Sequence, residues 1–130
     1  MALPNSGGGY QFTDGNTNEI VMGVQTTPTA KVAAATLTAA ELATGIVTYT
    51  GAAVALTVPL GTALDTAFSS MKTNSSFDFV IINTGATNAA TVTANTGCTL
   101  VGVAAVNAVT SATWRVRKTA DATYVFYRIA

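Results

Sequence analysis

From Phe79 to Trp114 the chain runs without a single charged residue, and Thr, Asn, Gly and Ala fill the spaces between its apolar positions. The run is long enough to cross a bilayer. Its hydroxyls and amides could not be left in hydrocarbon, however, so it does not read as a transmembrane span. The turn signals Asn83–Gly85 and Asn95–Gly97 divide the region into short β-branched segments. These are "SFDFVIINTG" (76–85), the most hydrophobic and therefore central, then "ATVTA", then "CTLVGVAAVNAVTSATWRVRK". Strands recurring between turn-rich breaks predict an all-β fold, an antiparallel β-sandwich or jelly-roll-like domain.

The earlier part of the chain adds one or two short helices. In "TLTAAELATG", Thr38 stands three residues before Glu41, the spacing at which hydroxyl and carboxylate cap each other's backbone N–H groups, and the turn closes at Gly45. "GTALDTAFSSM" (61–71) repeats that spacing with Thr62 and Asp65, and places Leu64, Phe68 and Met71 on one helical face. Between them, residues 46–60 read as two Thr-rich strands around Gly51. Residues 1–20, with Pro4, Gly7–Gly9 and "TDGNTNE", hold too few apolar residues to pack and predict an extended N-terminal arm whose Tyr10 and Phe12 serve as anchors. A short strand is expected from Glu19 to Val24, interrupted by Pro28. The division is thus an arm over 1–20 and one β domain over 21–130.

Several function classes lose their chemistry here. Histidine is absent and there is one cysteine, so the usual zinc, haem and non-haem iron sites have no ligand set and no internal disulfide can form. No cofactor motif occurs, and the glycines of "SGGGYQF" follow no strand. Hydroxyls are plentiful, yet none of Lys31, Lys72 or Lys118 sits in the context of a Ser-Lys dyad. Of the six acids, Asp14 and Glu19 fall in the arm, Glu41 and Asp65 look like helix caps and Asp121 lies in a turn, so no carboxylate pair is evident for glycoside hydrolysis. Cys98, opening a strand, reads as a small half-buried residue. The expectation is that the protein is not an enzyme.

Charge points towards assembly. Formal net charge is zero and charged residues are 9%, against roughly 25% in ordinary soluble domains. Ala and Thr together make up 48 residues. No overall field exists to draw the chain to nucleic acid or an anionic membrane, and little repulsion keeps copies apart. "MALPNSGGGYQF" has neither the basic nor the apolar region of a signal peptide.

Two features single out candidate contact residues. Asp78 lies between two phenylalanines in "FDFVII", where a carboxylate either pairs with Arg115, Arg117 or Arg128, across strands or across a subunit contact, or faces solvent. The terminal "WRVRKTADATYVFYRI" (114–129) reads as a hairpin. A four-residue loop, "TADA", sets Trp114 against Tyr127 and gives one face of Trp114, Val116, Val125, Tyr127 and Ile129. Arg115, Arg117, Tyr124, Phe126 and Arg128 then share the other, and a five-residue loop shifts the register.

The segments "LTAAELATGIVTYT", "PLGTALDTAF", "SFDFVIINTG", "TLVG" and "WRVRKTADATYVFYRI", in that order, resemble a module of structural proteins of marine tailed bacteriophages, especially those of cyanobacteria. Residues 36–130 cover it, with Leu60 as an addition and Trp114 where phenylalanine is common. The resemblance implies a virion structural role without enzymatic activity or cofactor. The short stretch before the module favours a capsid decoration or cement protein, a homotrimer on the capsid surface, made in the host cytoplasm. Its partners would be its own copies and the major capsid protein, with no nucleic acid and no membrane, and the arm with Tyr10 and Phe12 would reach across capsid subunits. The alternative is a head-fibre or tail/neck domain that binds host glycan, for which Trp114, Tyr49 and Tyr124 are candidates.

Overall fold

The structure, a computed structural model, describes residues 22–130. The expected arm, with Tyr10 and Phe12, lies outside the described residues, as does the first half of the segment from Glu19 to Val24. Residues 22–28 carry no strand.

The described chain is rich in strands, with two short helices. In order it forms β1 (Thr29–Lys31), β2 (Ala35–Thr36), α1 (Ala39–Ala43), β3 (Ile46–Tyr49), β4 (Val54–Thr57), α2 (Gly61–Ala67), β5 (Ser76–Asn83), β6 (Ala90–Thr93), β7 (Cys98–Val101), β8 (Ala105–Val106), β9 (Thr110–Ala120) and β10 (Thr123–Arg128). A six-stranded sheet has the order β1-β3-β5-β9-β10-β7, and a four-stranded sheet the order β2-β4-β6-β8.

The strand pairing differs from the antiparallel expectation. β1–β3, β3–β5 and β7–β10 are parallel in the larger sheet, and β2–β4 and β4–β6 are parallel in the smaller; only β5–β9, β9–β10 and β6–β8 are antiparallel. The cause is the path of the chain. Up to β6 it makes three circuits, each laying one strand in the larger sheet and the next in the smaller, so same-sheet neighbours run the same way. Parallel neighbours need a crossover, and α1 and α2 lie in the return legs.

Local chemistry explains α1. Thr38 Oγ1 accepts from Glu41 N at 3.1 Å, Glu41 Oε1 accepts from Thr38 N at 2.8 Å, and Gly45 at φ 85° ends the turn. Lys31 Nζ, from β1, stands 2.7 Å from Glu41 Oε2 and ties the helix start to the sheet. α2 begins at Gly61 without a side-chain cap, because Gly61 N donates to Thr96 O at 2.9 Å. Leu64 is buried on its inner face, and Phe68 meets Phe77 with ring centroids 5.1 Å apart.

Both sheets turn their apolar faces to one core. Val47, Tyr49, Phe79, Ile81, Trp114, Val116, Tyr124 and Phe126 enter from the larger sheet, and Leu56, Ala90, Val92 and Val106 from the smaller. Each large side chain fully removed from water stabilises the fold by about 1.5–3 kcal/mol. Asn83 and Lys118 are the buried polar side chains among the described residues, and Asn83 is the uncharged one. Its Nδ2 donates to Asn88 O at 2.8 Å and Val106 O at 2.9 Å, and its Oδ1 accepts from Gly85 N at 3.0 Å, so one amide joins β5, the following turn and β8.

Candidate interaction surface

The closing hairpin adopts a register in which Trp114 faces Arg128, Val116 faces Phe126 and Lys118 faces Tyr124, with a bulge at Thr123/Tyr124. The four-residue-loop division of faces is therefore corrected. Tyr124 and Phe126 join Trp114 and Val116 in the core, while Val125 and Tyr127 join Arg115 and Arg117 outside. Trp114, Tyr49 and Tyr124 are each at most 1% exposed, so they cannot form a glycan-stacking surface.

A carboxylate sets this register. Asp65, on α2, accepts from Ala122 N at 2.7 Å, from Tyr124 Oη at 2.6 Å and from Lys118 Nζ at 2.9 Å. It does not cap its helix. Gly61 and Gly97 make room for the turn: a Cβ on Gly61 would lie 2.0 Å from Ala122 O, and one on Gly97 2.3 Å from the same atom. The hydrogen bond from Tyr124, then those from Lys118 and Ala122, hold the Asp65 carboxyl down to about 2. Burial, followed by the Asp65 contact, pushes the Tyr124 phenol above its ordinary range.

The outer face of the six-stranded sheet carries the paired candidates. Asp78 and Arg115 are cross-strand partners on β5 and β9, with Arg115 Nε donating to Oδ1 at 2.8 Å and Nη2 to Oδ2 at 2.9 Å. Both of the alternatives for Asp78 hold together: it pairs, and it faces solvent, the side chains being 41% and 51% exposed. The Arg115 hydrogen bond holds the Asp78 carboxyl below the ordinary aspartate value. The other two candidate arginines go elsewhere. Arg117 donates to Asn74 Oδ1 and to Tyr127 Oη, and Arg128 donates to the backbone oxygens of Val103, Ala105 and Ala130. Around the pair, Ile46, Val80, Ile82, Val125 and Tyr127 lie half-buried on the same face.

An ion pair this exposed contributes little to stability. Asp78→Ala is expected to shift the melting temperature by less than about 2 °C while weakening any protein contact made by this face. Thermal melting and light scattering on the same variant separate the two effects, and a large loss in melting temperature would count against the contact role.

Near the C-terminal end of α2, Leu42, Phe68, Met71 and Phe77 line an open cleft of about 420 Å³ rimmed by Ser69, Ser70 and Ser76. Cys98 lies half-buried beneath Pro59, its Sγ 3.3 Å from the Pro59 carbonyl oxygen, and burial pushes its thiol up to about 11. The thiolate is the reactive form. Cys98 in the native protein is expected to react with a thiol reagent at pH 8 about a hundredfold more slowly than after unfolding, and equal rates would refute the buried placement.

Among the described residues, no three His, Cys, Asp or Glu side chains converge as a metal site, and no helix is long and apolar enough to cross a membrane. No family model, curated protein or solved structure matches the chain.

Proposed function

We propose that this chain is a virion structural protein, a capsid decoration or cement protein that binds the outer surface of a phage head as a homotrimer and stabilises it. In this reading its two sheets act as a sandwich-like module that offers a flat face to neighbours. The observation that carries it is the outer face of the six-stranded sheet. There Ile46, Val80, Ile82, Val125 and Tyr127 surround a single bidentate Asp78–Arg115 pair, with the Arg117–Tyr127 contact beside it. Few charges, β-branched and aromatic side chains and planar arginines are the makings of a protein contact. The mechanism is mass action: a ligand of the assembled shell that ignores free subunits stabilises the shell by its binding free energy, multiplied over many copies.

The test is to add purified protein to heads lacking it and to image the product by electron cryomicroscopy. Saturable density at three-fold or quasi-three-fold positions, with a raised head melting temperature, is expected. Density confined to a tail or fibre would overturn decoration.

The cleft of Phe68, Phe77 and Met71 with its serine rim favours the second reading, a head-fibre or tail/neck domain binding host glycan, since sugars stack an apolar face on aromatic rings and offer hydroxyls to a polar rim. Glycan-array binding abolished by Phe68→Ala would support it.

A further inference from the structure

The six-stranded sheet ends in two strands, β1 and β7, that have no outer partner among the described residues. Their directions follow from the pairings between them. β1, β3 and β5 run one way, β9 the other, and β10 and β7 the first way again. The two free edges of one sheet therefore point in the same direction, so the β7 edge of one copy can continue into the β1 edge of another as a parallel pair without turning either copy over.

Neither edge carries the usual protection. Sheet edges that must stay free are blunted by outward charges, above all lysine. β7 is Cys98-Thr99-Leu100-Val101 within the uncharged run. The one lysine of β1, Lys31, is turned back onto Glu41 at 2.7 Å and presents no charge to the edge. Exposed apolar side chains gather at both edges: Val24 at 95% and Val32 at 68% lie before and after β1, while Val101 at 48% ends β7 and Val103 at 68% follows it. Val103, in the loop that follows β7, lines one shallow depression with Ile129, just after the end of β10. The lengths agree as well, three residues at β1 against four at β7. Such a contact is heterologous, each copy offering a different edge to each neighbour, which is the type that closes into rings.

We propose that copies of this chain assemble head to tail, with β7 of one copy added in parallel to β1 of the next. This rests on the self-association part of the proposed function and names the surface that performs it. The experiment uses cysteine pairs in a Cys98→Ser chain. Ala30 on β1 and Thr99 and Val101 on β7 point to the outer face of the sheet, so Ala30→Cys is combined with either Thr99→Cys or Val101→Cys to cover both registers. Within one chain the two edges are separated by five strand spacings, about 24 Å, which excludes an internal bridge. Mild oxidation is expected to give a ladder of covalent species up to the full assembly mass, whereas each single-cysteine chain gives nothing beyond a dimer. Light scattering on the unmodified protein separates the outcomes. A monomer would overturn self-association together with this contact. An oligomer in which neither pair cross-links would overturn the edge contact alone and leave self-association standing.

Discussion

Asp65→Asn is expected to lower the melting temperature by roughly 5–10 °C at pH 7, because it leaves a nearly buried ammonium, that of Lys118, without its carboxylate. The backbone N–H of Ala122 and the hydroxyl of Tyr124 lose the same acceptor's charge. The effect should depend on pH in a defined direction. The folded-state value is about 2 and an unfolded aspartate titrates near 3.9, so the stabilisation is complete above about pH 4 and is lost as pH falls through about 2. Melting curves of both proteins between pH 7 and pH 2 should therefore converge at the acid end. A constant gap across that range would show that Asp65 acts through shape and not charge.

Asn83→Ala is the second large effect, a loss of roughly 2–4 kcal/mol in denaturant unfolding with little change in slope. The alanine leaves the Val106 and Asn88 carbonyls and the Gly85 N–H without partners where water has little access. Asn83→Asp is the informative companion: it keeps the acceptor for Gly85 but faces two carbonyl oxygens with a carboxylate, and should be at least as damaging. If either variant were neutral, the amide would not be what joins β5 to β8.

What the sequence disclosed depended on how local the signal was. The Thr38–Glu41 capping box closes within one turn of chain, and it forms as its spacing says. Thr62 and Asp65 show the same spacing, yet Thr96 O satisfies the helix start from a distant loop and Asp65 is taken up by a turn 57 residues away. Identical local patterns diverged because one of them had better long-range partners. The strands around Gly51 and the central place of β5 were legible from β-branched runs and turn residues. The parallel pairing was not, since alternation of polar and apolar residues reports which face is buried and is silent about the direction of a neighbour. The hairpin register likewise hung on the bulge at Thr123/Tyr124 and on Ala122 at φ 53°, both held by contacts outside the hairpin. Asp78 could be linked to an arginine from the sequence, and the register then selected Arg115 from the three available.

The circuit path has a consequence for the order of folding. β5 stands in the middle of the larger sheet, and its second neighbour is β9, which follows it in the chain only after β6, β7 and β8. The β9–β10 hairpin closes locally, on the microsecond scale of such elements. The parallel pairs must first bring together residues a full circuit apart, and non-local pairing of this kind slows folding. A ribosome-bound chain halted before residue 110 should therefore expose one whole edge of β5, and the sheet should form only when the hairpin emerges. Pulse proteolysis of stalled chains would show protection appearing abruptly between chains from which β9 has not emerged and chains from which β10 has emerged through Arg128.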